Sequence, residues 1–319
     1  MIRFVLRRLA LGVLVLWLIV TAVFALFFVS PNNVARTLAG PQASPETLAL
    51  INARLGLDRP MAEQYLAFLG KLLHGDLGFD YYHGVQVTSI IAEALPVTLS
   101  LAVGAAVLWL LIGVSAGVAS SVRPRSPLDR VLTTGALFFH SMPTFLIGLA
   151  LLYLLFFKLS LAGLSWFPAG GYAPLSAGVV PWLDHLVLPW LTLALVLAAT
   201  YARLTRGSML DTLGEDFIRT ARAKGVKESR VVWRHGFRAA VTPVVTQFGI
   251  DFGQLVGGVV ITESVFSLPG LGKTAVDAIN QQNLPVIIGI VLVASAAVVV
   301  ANIVVDLGYV LIDPRVRLG

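Results

Sequence analysis

The sequence predicts an all-α membrane protein with six transmembrane helices and an extracytoplasmic helical segment between the first and second spans. Three observations predict it: the bulk composition, the number of long apolar stretches, and the placement of lysine and arginine. Of 319 residues, 57% are hydrophobic and 13% charged, and the mean hydropathy is +0.85. Soluble domains run at roughly 45–50% apolar and about 25% charged. A soluble chain this apolar could not cover itself with polar surface, whereas a bilayer demands such a composition of its solute.

A spanning helix needs about 20 mostly apolar residues. Six stretches qualify: Leu9–Val29, Leu95–Val118, Val131–Phe157, Leu186–Ala202, Val241–Thr262 and Val286–Ile312. The first follows Arg3, Arg7 and Arg8 as a signal peptide would. It is long, however, and no small-residue cleavage site follows promptly, so it is expected to be a retained anchor.

Orientation follows from the basic residues. With the N-terminus inside, only Arg36, Arg54, Arg59, Lys71, Lys158 and Lys273 of the 23 lysines and arginines fall in outside segments. The rest crowd the N-terminal tail, 119–130, 203–240 and the last residues. The positive-inside rule then puts both termini in the cytoplasm, in agreement with an even number of spans. The net charge of +6 is read through this topology, and nucleic acid is not an expected partner. With no cysteine, disulfides and thiolate chemistry are excluded. The five histidines, His74, His83, His140, His185 and His235, show no HxxxH pair to suggest a metal.

The organisation expected is a cytoplasmic tail and first helix over 1–30, an extracytoplasmic segment over 31–94, a five-helix core over 95–313 and a cytoplasmic tail over 314–319. Within the outer segment, Glu46–Leu57 and Met61–Leu73 carry apolar residues at helical spacing. Pro60 suits the start of the second helix, and Gly75-Asp76-Leu77-Gly78 reads as a turn.

The cytoplasmic loop 203–240 is the most informative segment. It holds Asp216-Phe-Ile-Arg-Thr-Ala-Arg-Ala-Lys-Gly225, then a basic stretch over 228–240, then Pro243. Arg219, Arg222 and Lys224 punctuate the small residues Thr220, Ala221 and Ala223, and small side chains on a short helix admit another protein's backbone. Gly225 can supply a helix C-cap or a sharp turn. Two short helices, a glycine hinge and charges for register describe a docking element; a positive-inside loop lying on anionic lipid would share the charge.

The order of residues separates these readings. "RTARAKG" at 219–225 followed by "RHGFRAAVTPVV" at 234–245 resembles the coupling loop of permease subunits in binding-protein-dependent ABC importers. That loop is summarised as EAA, three residues, then Gly; here Arg219-Thr220-Ala221 stands for Glu-Ala-Ala, as in the oligopeptide/dipeptide branch. "LGLDRP" at 55–60, "GDLG" at 75–78, "LPVTLSLA" at 95–102, "SMPTFLIG" at 141–148, "LPWLTLAL" at 188–195, "ARLTRGSML" at 202–210, "ESVFSLPGLG" at 263–272 and "VDLGYVLIDPRVR" at 305–317 resemble it too.

The resemblance implies a type I importer transmembrane domain in the bacterial inner membrane, translocating peptides by alternating access. It implies ATPase coupling through residues 219–225, and partners outside this chain: a second homologous permease, two cytoplasmic ATPases that bind ATP and magnesium, and an extracytoplasmic solute-binding protein. Membrane lipid is the remaining partner. The branch also contains nickel and glutathione importers. Of two rival classes, a secondary transporter would show coupling-ion residues and often repeated halves, and the chain shows no repeat. A membrane-embedded enzyme would need a catalytic constellation within the spans, and neither paired histidines nor a nucleophile–base set appears.

One motif is a decoy. Ser267-Leu-Pro-Gly-Leu-Gly-Lys273-Thr274 nearly spells a Walker A loop, but Ser267 replaces the first glycine and no strand precedes it. An extracellular turn is the expected structure. Within the spans, Gln247, Asp251 and Gln254 share one helical face. They either line a hydrated path or hold subunits together, since a carboxylate in hydrocarbon costs at least about 2.5–3.5 kcal/mol without water or a partner. Gly249, Gly253 and Gly257 form a small-residue ridge for helix packing. Asn302, Asp306 and Tyr309 share a helical spacing in span six, and Asp306 is expected to be structural. Pro143 and Pro189 should distort their helices, and Pro143 is a candidate for the translocation path.

Overall fold

The long apolar stretches are mostly helical, because in a bilayer only a helix or a closed barrel satisfies the backbone without water. The computed structural model describes residues 2–28, 43–55, 58–80 and 82–312. In chain order the main helices are α1 (Ile2–Phe28), α2 (Pro45–Leu55), α3 (Met61–Leu73), α4 (Val87–Val122), α5 (Pro127–Ser141) and α6 (Thr144–Leu151). The last continues through a π-helical Leu152–Lys158 into the short α7 (Leu159–Leu161). Then follow α8 (Val179–Leu213), α9 (Asp216–Ala223), α10 (Glu228–Arg230), a π-helical Val231–Phe237, α11 (Arg238–Ala240), α12 (Thr242–Gly258), α13 (Val260–Val265), α14 (Leu271–Asn280) and α15 (Leu284–Ile312). The expected cytoplasmic tail at 314–319 and the first part of the expected outer segment, up to residue 42, lie outside the described residues.

Among the described residues, five stretches rather than six are long and apolar enough to span: Leu6–Leu26, Val87–Val122, Thr144–Leu161, Val179–Leu213 and Leu284–Val305. The expected fifth span, Val241–Thr262, is broken. Helix α12 ends at Gly258 after 17 residues, Val259 leaves helical geometry (φ −80°, ψ 3°), and α13 resumes for six residues. Two glycines followed by β-branched residues make a weak helix at that point. The expected third span is also corrected. Met142 and Pro143 are extended (ψ 136° and 137°), so α5 stops at Ser141 and the apolar helix starts at Thr144. Proline disfavours helical geometry in the residue before it. Pro189, in contrast, is buried inside an uninterrupted α8 and does not break it.

Helices α4 and α8, 36 and 35 residues long, extend for about 50 Å and form the central pair. Glycine lets them touch: a Cβ at Gly113 would meet the Ala198 carbonyl at 2.7 Å, and one at Gly117 the Ala202 carbonyl at 2.7 Å. Fully buried Trp109 of α4 stacks at a tilt on Tyr201 of α8 and Phe248 of α12, with centroids 6.0 and 5.9 Å away. Helix α12 closes on α15 through the expected ridge, where a Cβ at Gly249 would strike Val305 at 2.5 Å and one at Gly253 would strike Asn302. The surroundings of Gly257, Asp306 and Tyr309 lie outside the described residues. Leu14, Trp17, Val103, Val107, Leu111, Val300 and Val304 point outward, a distribution suited to lipid contact.

Helices α2 and α3 form over the expected stretches of sequence, with Pro60 as the N-cap of α3. Tyr65 and Thr21 share a hydroxyl–hydroxyl hydrogen bond of 2.7 Å, and Phe24 packs on Tyr65 and Phe68, which ties α3 to α1. The Gly75–Gly78 turn forms, Asp76 Oδ1 accepting from Gly78 N at 2.9 Å. A two-residue hairpin not anticipated from sequence follows, β1 (Phe79–Asp80) against β2 (Val85–Gln86). Fully buried Asp80 accepts from Asn283 Nδ2 (2.8 Å) and Tyr82 N (2.9 Å), fixing the hairpin to the start of α15.

Candidate coupling and translocation sites

Helix α9 leaves the end of α8 after Gly214 and Glu215, and Ile218 anchors it by complete burial. The opposite face is left open. Arg219, Thr220, Arg222, Ala223, Lys224 and Gly225 are exposed, Ala221 is half-buried, and Phe217 exposes 48% of its surface. Gly225 takes φ +75°, and a Cβ added there would meet nothing within 4 Å, so its requirement is conformational. Its amide donates to Arg222 O (2.9 Å) and that of Val226 to Ala221 O (3.2 Å). These are the two bonds of a Schellman cap, which needs a left-handed residue at this point.

The Arg222 guanidinium then reaches Glu228, with contacts of 2.7 and 3.2 Å, and holds that carboxyl below its ordinary range. The pair is exposed and contributes little to stability; it reaches from α9 across to α10. Beyond it, Val231, Val232, Gly236 and Ala240 are buried, and Val232 and Ala240 pack on Met209 of α8 and Val118 of α4. The short helix α9 is thus mounted on the central pair through the Val231–Phe237 segment.

A second clamp at the same end was not legible in the sequence. Arg206 of α8 grips Asp129 of α5 in a fork, Nε to Oδ1 at 2.7 Å and Nη2 to Oδ2 at 2.8 Å. Asp129 also accepts from Arg125 N (2.8 Å) and Thr133 Oγ1 (3.2 Å). The Arg206 hydrogen bonds come first among the causes that hold this carboxyl well below the usual carboxylate range. Its partners lie 77 residues apart, so no local pattern announces them.

On α12 the structure joins two of the three expected polar residues. Gln247 Nε2 donates to Asp251 Oδ1 (2.9 Å), and Tyr201 Oη donates to Asp251 Oδ2 (3.0 Å). Tyr201 is the member that sequence reasoning missed. The side chain of Gln254 lies outside the described residues. Pro143 is the N-cap of α6 at the helix break and belongs to a different element from this group.

The Walker-like turn is filled from within. Fully buried Glu263 accepts from Thr98 Oγ1 (2.6 Å) and Lys273 N (2.9 Å), while Thr98 Oγ1 accepts from Leu271 N (2.8 Å). Amides that would cradle a phosphate are committed to a carboxylate, and Lys273 Nζ pairs with Asp277 at 3.0 Å. Among the described residues no cluster of three or more histidines and acids could hold a metal.

Similarity to known proteins extends over nearly the whole chain. A family model described as "Binding-protein-dependent transport system inner membrane component" matches residues 109–318, and the N-terminal model of such membrane components matches residues 1–102. A protein of Sinorhizobium fredii described as a probable peptide ABC transporter permease is 38% identical over 314 residues, covering 98% of this chain and 99% of the relative. The glutathione transport system permease protein of Salmonella typhi is 38% identical over 318 residues, 99% of each chain. Among solved structures, an inward-facing methionine ABC transporter matches with a TM-score of 0.54 at 18% identity, covering 70% of this chain and 96% of that one. An amino acid ABC transporter crystallised with histidines gives 0.52 at 16%, over 70% and 94%. At such identities these structures establish the fold alone.

Proposed function

The chain belongs to the family of binding-protein-dependent transport system inner membrane components, and on that premise we propose that it is the channel-forming permease subunit of an ATP-driven peptide importer. The observation that carries this reading is α9, a short basic helix capped at Gly225, open on one face and mounted on the two central helices. Motion imposed on α9 from outside the chain would pass along α8 toward Tyr201 and Asp251. The peptide substrate rests on the relatives, one described as a peptide permease and one as a permease for glutathione, itself a tripeptide.

In this reading the basic end, with α9, faces the cytoplasm, and α2, α3 and the β-hairpin face a solute-binding protein outside. Helices α12 and α13 together make the sixth crossing despite the break at Val259. Two ATPase chains, which bind ATP and magnesium, act on α9 and on its counterpart in a second permease. Gln247, Asp251 and Gln254 offer polar groups along the path, which alternates between inward- and outward-open states.

The test is uptake of labelled di- and oligopeptides into proteoliposomes holding this chain, its partner permease, the ATPases and the binding protein. Uptake should require ATP and every component. Uptake driven by an ion gradient without the ATPases would overturn the reading in favour of a secondary transporter.

A further inference from the structure

We propose that an anionic phospholipid occupies a groove at the basic end of the chain, between the end of α4, the start of α5 and the π-helical segment Val231–Phe237. The groove holds about 450 Å³, within the range of small-molecule pockets, about 300–1,000 Å³. Its floor is apolar: Val118, Ala119 and Val122 from α4, Leu128 from α5, and Val232 and Trp233. Such a floor suits an acyl chain, and α4 continues from it straight into a membrane span.

The rim supplies the charge. Arg123 lines the groove at the C-cap of α4, exposed, and among the described residues its side chain makes no ion pair or hydrogen bond. Glu228, the acid on the rim, is already paired with Arg222. Just beyond, Arg230 and Arg234 flank the groove-lining Ser229 and Trp233; both arginines are exposed and likewise lack a side-chain partner among the described residues. Unpaired cations over an apolar floor complement a phosphate headgroup with its acyl chain beneath. Trp233, 52% exposed, is the residue type that settles at the headgroup level. Clusters of basic residues beside spanning helices bind anionic headgroups at about 1 kcal/mol per cation.

The inference shares with the importer reading only the placement of α4 in the membrane. Its test reads lipid mass rather than transport. The full chain, purified with its partner subunits, is exchanged into nanodiscs of mixed phosphatidylglycerol and phosphatidylcholine, and lipids retained through a second exchange are counted by native mass spectrometry. Phosphatidylglycerol should be retained about tenfold over phosphatidylcholine, and Arg123→Gln should lower that preference about fivefold. Ala119→Trp, at an exposed position that fills the groove without disturbing the core, should lower retention of both lipids.

Equal retention of the two lipids by the parent, or parental retention by both variants, would overturn the proposal. So would an Arg123→Gln variant that keeps its lipid and sheds an ATPase chain, which would make this face a protein interface. Selective lipid retention by a complex incapable of ATP-driven uptake would uphold the proposal and count against the importer reading alone.

Discussion

Asp251 divides its carboxylate between two donors, Gln247 and Tyr201, and so meets the cost of withdrawing an acid from water with partners on its own chain. That arrangement leaves it partly exposed and able to exchange a partner for water or substrate. Asp251→Asn keeps the acceptor for Tyr201 at a cost on the order of 1 kcal/mol, so assembly should survive while the uptake rate falls roughly tenfold, about 1.4 kcal/mol on the barrier. Subunit loss in detergent would instead assign Asp251 to an interface, and parental assembly and rate together would remove both roles. The Asp129–Arg206 clamp behaves differently. Because the folded carboxyl lies below its ordinary value of 3.8, the pair is intact above that value and weakens only as pH falls toward the depressed one. Gly225 and Asp251 were legible because their signals are local. Asp129, Thr98 and Glu263 were not, since their partners lie 77 and 165 residues away and only the folded chain joins them.

Element boundaries depend on breaks that hydropathy averages away. A hydropathy window runs through Met142-Pro143 because the flanking residues are apolar, yet the backbone there is extended and α5 belongs to the basic end. Similarly, Val241–Thr262 reads as one apolar span although the helix pauses at Val259. The long helices α4 and α8 were legible in their apolar centres and too short at their ends, where polar residues continue the helix outside the expected span. If α12 and α13 together cross the membrane, cysteines placed singly at Ser229 and Ser267, both exposed and in a chain without cysteine, should label from opposite sides. An impermeant thiol reagent applied outside should reach Ser267→Cys and miss Ser229→Cys. Labelling of both from one side would make the segment a re-entrant element and leave five crossings.

For the whole molecule, the two ends carry different structure for a physical reason. The basic end holds a small helix with its cap at Gly225 and the exposed Arg222–Glu228 pair, beside the clamp between Arg206 of α8 and Asp129 of α5. The other end is pinned through buried carboxylates, Asp80 to Asn283 and Glu263 to Thr98. The central pair α4 and α8 runs between them with glycine-close packing. The membrane class and the basic loop with its turn at Gly225 could be read from composition and local order; the close packing that joins the two ends could not.

If coupling runs through α9 and its cap at Gly225, the direct measurement is ATP hydrolysis and peptide uptake on the same proteoliposomes, parent against Gly225→Val. A β-branched residue at φ +75° costs about 1–2 kcal/mol or more in left-handed geometry and would tilt or unwind the end of α9. The variant complex should still assemble and hydrolyse ATP, with uptake per ATP reduced at least about fivefold. Parental uptake per ATP from a well-assembled Gly225→Val complex would show that the capped end of α9 does not carry the coupling.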